Sequence, residues 1–320
     1  MVFFIDFLKA LASCLITNAH YTGIYPTDLI ANGGLIGDIL FFAVSGWCLY
    51  RIRKPFLKWY VKRLYRCYLS VILITGIYLL LGFYSLEENS FFWWFLYPTA
   101  YHFVSSIVLL YIPYYCVMVT PWLRKRLPAL MLAVFGCGLL VYLTWYDKSY
   151  YHIDNVREPM IRVLFFESML LGAWFRQNDA CLRGVVHWWH FPAALLAFCA
   201  YFASKLLFSR LPQFSEWQIM NQILIFILLF LMFRAVAGIN PRLEQLPERI
   251  KHIVRLLSEI TLEIYVVQYV LIDKIRPLAV FPFNWLLLTV SIILAAVVLH
   301  RICAWLSTAR LSKWFSYARN

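Results

Sequence analysis

A helix that faces lipid has no use for ionisable side chains, yet the first apolar segment of this chain carries Asp6, Lys9, Ser13, Thr17 and His20. Their spacings of 3, 4, 4 and 3 place all five within an arc of about 80° at 100° per residue, a single polar stripe that must face other helices or a wet cavity. Lys9 and His20 are eleven residues apart, about three turns, so they share a face and stand about 16 Å apart along the axis. One end of the stripe is cationic and the other ends in a titratable base. The i, i+3 spacing would also let Asp6 and Lys9 neutralise each other, with His20 as an interfacial histidine at a helix end.

The rest of the sequence says what must hold such a stripe. The chain has 320 residues, 63% apolar and 14% charged, against roughly 45–50% and 25% in ordinary soluble domains. Spans are expected at about 3–20, 35–50, 67–84, 98–119, 129–146, 160–175, 191–209, 218–236, 256–273 and 284–305, with an aromatic interfacial segment from Phe91 to Tyr97. The expected fold is therefore all-α, a polytopic bundle of about ten transmembrane helices. One membrane domain should cover 1–320, since no long polar stretch remains for a soluble domain. The first segment lacks a basic leader and holds charges in its interior, so no cleavable signal peptide is expected.

The net charge of +13 would suggest nucleic acid in a soluble protein, but in a membrane protein basic residues first report orientation, and no nucleic-acid partner is expected. With the N-terminus inside, 21 of the 29 Lys and Arg fall on the inner side, among them Lys58, Arg63, Arg66, Arg310, Lys313 and Arg319, and seven fall outside. Both termini should then be cytoplasmic. The eight cysteines contain no Cys-x-x-Cys pair, so neither a disulfide framework nor a zinc site is implied. His187-x-x-His190 has ligand spacing but no third ligand nearby in sequence, and no metal is expected. Trp93, Trp94, Trp188, Trp189 and Trp217 collect at expected span ends, as amphipathic rings do at a lipid–water boundary. Glu167, Glu259 and Glu263 are candidate partners for the basic groups.

A set of short motifs, taken in order, resembles one family. Ile5-Asp6-x-Leu8-Lys9, closed by His20 after ten intervening residues, is similar to the opening signature of the acyltransferase-3 membrane O-acyltransferases, with Lys9 where arginine is usual. Phe41-Phe42-Ala43-Val44-Ser45-Gly46 resembles the family's Phe-Phe-x-x-Ser-Gly helix, and Arg63-x-x-Arg66 its inner-side Arg-x-x-Arg. Tyr101-His102-Phe103, Phe165 to Trp174, and Ser258 to Tyr265 follow in the family's order. Two departures stand out: Val104-Ser105 replaces Trp-Phe after His102, and Gln268 stands where a histidine often follows Ile-Tyr.

The resemblance implies transfer of an acyl group, usually acetyl, from cytoplasmic acetyl-CoA to a hydroxyl of an extracytoplasmic polysaccharide or lipid-linked sugar, in the bacterial cytoplasmic (inner) membrane. Coenzyme A brings phosphates at one end and a thioester at the end of a long arm. Arg63 and Arg66, one turn apart, can present two guanidinium forks to phosphates, and Lys9 a point charge to a phosphate or thioester carbonyl farther along; as a bland alternative, the arginines anchor the protein to anionic lipid. A sugar hydroxyl is a poor nucleophile at neutral pH, and a histidine, with an ordinary pKa of about 6.5, is the natural base for it. His20 is chosen as that base, with Asp38 entering from the outer end of the second span to orient it and His102 to bind the acceptor or the oxyanion; Asp38 also reads as a helix-start carboxylate and His102 as a buried hydrogen-bonded histidine. Ser45, on the face of Asp38, reads as a packing residue and not as an acyl-enzyme nucleophile. Membrane lipid, acyl-CoA and the acceptor glycan are the partners implied; no protein partner is legible. The competing reading is a proton-coupled secondary transporter, in which Asp6, Lys9 and His20 form a relay, though neither an inverted repeat nor paired broken helices support it. A non-catalytic assembly subunit would leave the stripe unexplained.

Overall fold

Runs of Leu, Ile, Val and Phe closed off by Pro, Gly and charged turns give long helices, and in a bilayer a helix is the one open-ended element that satisfies its own backbone. The computed structural model describes residues 2–87, 89–97 and 101–317, with side chains as far as Thr308. Among the described residues every regular element is helical. The long helices are α1 (Phe3–Ala19), α2 (Gly34–Leu49), α3 (Phe56–Leu80), α4 (His102–Val119), α5 (Leu127–Thr144), α6 (Pro159–Gln177), α7 (His190–Arg210), α8 (Ile219–Gly238), α9 (Glu248–Glu259), α10 (Thr261–Ile275) and α11 (Phe283–Tyr317). Six of them, α3, α4, α5, α7, α8 and α11 as far as Thr308, are long and apolar enough to cross a membrane. The chain is thus an all-α polytopic membrane protein.

Each expected span falls on a helix, with instructive differences. The third begins at Phe56, so Arg63 and Arg66 lie inside α3 and not in a loop before it. The expected ninth span is broken at Ile260: α9 ends at Glu259 and α10 starts afresh at Thr261. The basic, amphipathic composition of α9, with Arg249, Lys251 and Arg255, suits a helix that lies along a boundary. The start of the expected fourth span, residues 98–100, lies outside the described residues, as do Arg319 and the side chains of Arg310 and Lys313. The aromatic segment forms a short helix, Phe91–Phe95, started by Ser90, whose Oγ accepts the Trp93 N–H, and Trp94 stacks on Tyr84 at 4.1 Å.

The short, polar helices are at the centre and the apolar ones around them. Leu132 of α5 and Leu196 of α7 are 73% and 71% exposed, a surface built for lipid tails. By contrast most of α2 is buried, between α1 and α6. Glycines allow that density. A Cβ at Gly172 would lie 1.8 Å from the Ala43 carbonyl oxygen, and one at Gly46 would lie 2.0 Å from that of Met169. Backbones this close are how membrane helices gain contact when apolar burial offers little. The buried Tyr114 hydroxyl donates to Gly46 O at 2.6 Å and ties α4 to the same crossing.

The ends of α1 are fixed from far away in sequence. At its start the Phe4 N–H donates to Asn240 Oδ1 at 3.0 Å, a cap supplied 236 positions later. At its other end Asn18 Nδ2 donates to the carbonyls of Ile30 and Asn32, and Tyr25 donates to Asn18 Oδ1 at 2.7 Å, folding the 20–33 loop over the helix. The loop enters α2 through Gly33 at φ 96°, a left-handed conformation that glycine adopts without strain.

Candidate active site

His20 is the residue where α1 ends, its backbone N–H turned back to Thr17 O. Its imidazole lies against the rings of Tyr269 and Tyr265, at 5.0 and 6.5 Å between centroids, and makes no hydrogen bond among the described residues. It lines a cleft of about 460 Å³, within the usual range of small-molecule sites, shared with Asp38 and His102. All three residues singled out in the sequence for the acceptor side are therefore brought to one space by α1, α2 and α4.

The details differ from the expected dyad. Asp38, in the second turn of α2, is buried at the cleft wall, yet its carboxylate makes no direct hydrogen bond to His20 or to any other described residue. His102, the first residue of α4, accepts a hydrogen bond at Nε2 from Arg157 Nε at 3.2 Å. That bond requires an unprotonated Nε2 and holds the ring by a cation from the loop before α6. Val104, one of the two family departures, is fully buried, and Ser105 Oγ donates to His102 O, steadying the first turn of α4.

Below the cleft the stripe continues past Thr17 and Ser13 into a second, much smaller space of about 10 Å³, lined also by Phe41, Phe103, Thr261 and Tyr265. That is about the room one water needs. Deeper still, Lys9 lies within electrostatic reach of Arg66, Cys48, Glu263 and Asp6, and Cys48 within reach of Lys9, Arg63 and Arg66. The three expected donor-side cations thus converge from α1 and α3. None forms an ion pair among the described residues. Arg63 has its guanidinium 5.9 Å from the Trp59 ring and its Nε buried without a hydrogen-bond partner among the described residues. Asp6 does not pair with Lys9; its Oδ1 accepts from Ser258 Oγ at 3.3 Å, linking α1 to α9.

The core holds further polar groups, some singled out in the sequence, such as Glu263 and Gln268, and some not, namely His300, Arg157, Asp154 and Lys205. Glu263 Oε1 accepts from Ser70 Oγ and contacts His300 Nδ1, both at 3.3 Å, while its Oε2 is buried and has no hydrogen-bond partner among the described residues. His300 had a signal, an ionisable residue inside the last apolar helix. Arg157, Asp154 and Lys205 had none, because polar residues in or beside an outer loop are ordinary. Gln268 is fully buried, and both its amide atoms lack partners among the described residues. His187 and His190 stand with ring centroids 5.4 Å apart, and among the described residues no three His, Cys, Asp or Glu side chains are grouped to hold a metal ion.

A polar helix face with converging cations at one end and a cleft with two histidines and a carboxylate at the other suits group-transfer chemistry. Comparison with known families agrees at that level: residues 2–306 match the acyltransferase 3 model, described as an acyltransferase domain. Searches of curated proteins and of solved structures give no match. Because the match spans nearly the whole chain, the protein belongs to the acyltransferase 3 family and is a membrane acyltransferase.

Proposed function

We propose that the protein is an O-acyltransferase of the bacterial cytoplasmic membrane, with both termini inside, which moves an acetyl group from cytoplasmic acetyl-CoA to a hydroxyl of an extracytoplasmic glycan or lipid-linked sugar. The observation that carries this reading is the single polar face of α1, with Lys9 beside Arg66 at one end and His20 in the cleft at the other. Cations brought together without ion-pair partners repel one another, and a polyanion bound among them removes that cost. Arg63 and Arg66 are placed to hold coenzyme phosphates as forks, with Lys9 deeper along the acyl arm.

In the cleft His20 takes the proton of the acceptor hydroxyl while its oxygen attacks the thioester carbonyl. The new ester C–O bond forms, the C–S bond breaks, and the proton on His20 passes to the leaving thiolate to give free coenzyme A. His102 faces the developing oxyanion or the acceptor, and Asp38 stabilises the transient imidazolium through the cleft. Since the two are not hydrogen-bonded here, Asp38 acts by its charge or through a bridging water.

The test is release of coenzyme A from acetyl-CoA by protein reconstituted in lipid nanodiscs, with and without a sugar acceptor. His20→Ala should lower acceptor-dependent release by about 10²–10⁴-fold, the usual worth of a general base, with donor binding little changed. A correctly inserted His20→Ala protein with wild-type transfer would end the catalytic reading and favour the proton-relay transporter, for which acidification of proteoliposomes is the direct measurement.

A further inference from the structure

Part of the cleft wall is built by the loop between α5 and α6, through Asp154, Val156 and Arg157. Gln218 pins that loop: its Oε1 accepts the His152 and Ile153 N–H groups at 3.0 and 2.9 Å, and its Nε2 donates to Tyr150 O at 3.0 Å. Asp154 is thereby held against α7 in the lining of the cleft. Its two carboxylate oxygens are treated very differently. Oδ2 accepts from the hydroxyls of Tyr151 at 2.5 Å and Tyr201 at 2.9 Å, with Lys205 Nζ at 4.0 Å. Tyr151 is itself fixed by Asn221, whose Nδ2 donates to its hydroxyl, and Asn221 is fixed by Ser204. Oδ1 is buried and has no hydrogen-bond partner among the described residues. A side chain only 6% exposed, clamped through one oxygen and unpartnered at the other among the described residues, is an acceptor ready for a further donor.

The neighbouring charges narrow what that donor is. Lys205 already faces Asp154, and Arg157 already donates to His102. The unfilled Oδ1 can only accept, so its own partner is a donor such as a neutral hydroxyl and not an ionised phosphate or carboxylate, while the remaining N–H groups of Lys205 and Arg157 are left for other oxygens of the same ligand. Phe103, Tyr201, Tyr265 and Tyr269 line the same cleft and offer apolar ring faces. Together they fit a sugar ring, with one hydroxyl to anchor and another to react.

We infer that Asp154 Oδ1 is the anchor of an acceptor-sugar subsite: it accepts a hydrogen bond from a hydroxyl other than the one acylated, and so presents the reacting hydroxyl to His20. This rests on the proposed transfer to a glycan. The ligand probes are methyl glycosides of glucose, galactose, mannose and N-acetylglucosamine, with monodeoxy versions of the glycoside that serves best.

In nanodiscs Asp154→Asn should raise the acceptor KM about tenfold or more, because the amide nitrogen cannot accept, while the KM for acetyl-CoA stays unchanged. Calorimetric binding of the same glycoside without donor should weaken to match. For the wild-type protein, whose folding is not in question, removal of one hydroxyl away from the acylated position should cost the same factor; in Asp154→Asn that removal should cost nothing more. An Asp154→Asn protein with a lowered melting temperature but an unchanged acceptor KM would reduce the residue to a loop anchor and overturn the inference, as would a wild-type protein indifferent to every deoxy position but the acylated one. Both results leave acyl transfer itself standing. A wild-type protein that neither consumes acetyl-CoA nor binds any glycoside would remove the glycan reading and this subsite together.

Discussion

Gly172→Ala is the sharpest test of how the helix core positions the site. The added methyl would lie 1.8 Å from the carbonyl oxygen of Ala43, whereas ordinary contact begins near 3.4 Å, so α2 and α6 must separate by about 1.6 Å at their crossing. A backbone oxygen in a helix cannot swing aside as a side chain can, and overpacking of this kind costs about 1–3 kcal/mol. The movement is transmitted to function because α2 also carries Asp38, five residues and about 7.5 Å along its axis from Ala43. Misplacing a reacting group by about 1 Å costs on the order of 100-fold. The protein should therefore melt lower in detergent and lose most of its acetyl-transfer kcat/KM, with donor KM less affected. Gly136→Ala in α5 is the control. Nothing lies within 4 Å of its added methyl, so it should be neutral or stabilise by up to about 1 kcal/mol through the unfolded chain. Wild-type melting and activity in Gly172→Ala would refute the claim that the glycine crossing sets the register of α2.

Replacing Arg63 and Arg66 together by Ala should raise the KM for acetyl-CoA through loss of two charge-assisted contacts, roughly 1.5–3 kcal/mol each before screening, with insertion intact; an unchanged donor KM would return them to anchoring lipid. Lys9→Ala should weaken donor engagement and Lys9→Arg should retain activity, read from the same donor titration. Arg157→Ala frees the His102 ring, and because Arg157 is exposed the expected loss is only about fivefold in kcat/KM, or about 1 kcal/mol; equal rates at low and high salt would remove Arg157 from the site. In a background without the native cysteines, a cysteine at Thr27 should react with an impermeant reagent from outside the cell and one at Lys58 should not. Both positions are exposed, so the reverse pattern would overturn the orientation and the donor-side assignment at once.

Much of this protein is written locally in its sequence. The five polar residues of α1 share a face because helical periodicity alone puts them there, and the cost of charge in lipid then turns that face inward. The all-helical class and the positions of the apolar segments follow as directly, from residues a few places apart. What the sequence left open involves partners that are distant along the chain. The separation of α9 from α10 was hidden in a continuous stretch of moderate hydropathy, where Ser258 turns to Asp6 across 252 positions instead of continuing a span. The alternative in which Asp6 and Lys9 pair directly meets a similar outcome: Asp6 accepts from Ser258, and Lys9 has Arg66 as well as Asp6 within electrostatic reach. Arg157 on His102, His300 on Glu263 and the half-filled carboxylate of Asp154 are products of packing. Each is an ordinary residue until the fold decides which polar atoms meet and which are left waiting, because hydrogen bonds are short-ranged and directional while sequence periodicity fixes only a face.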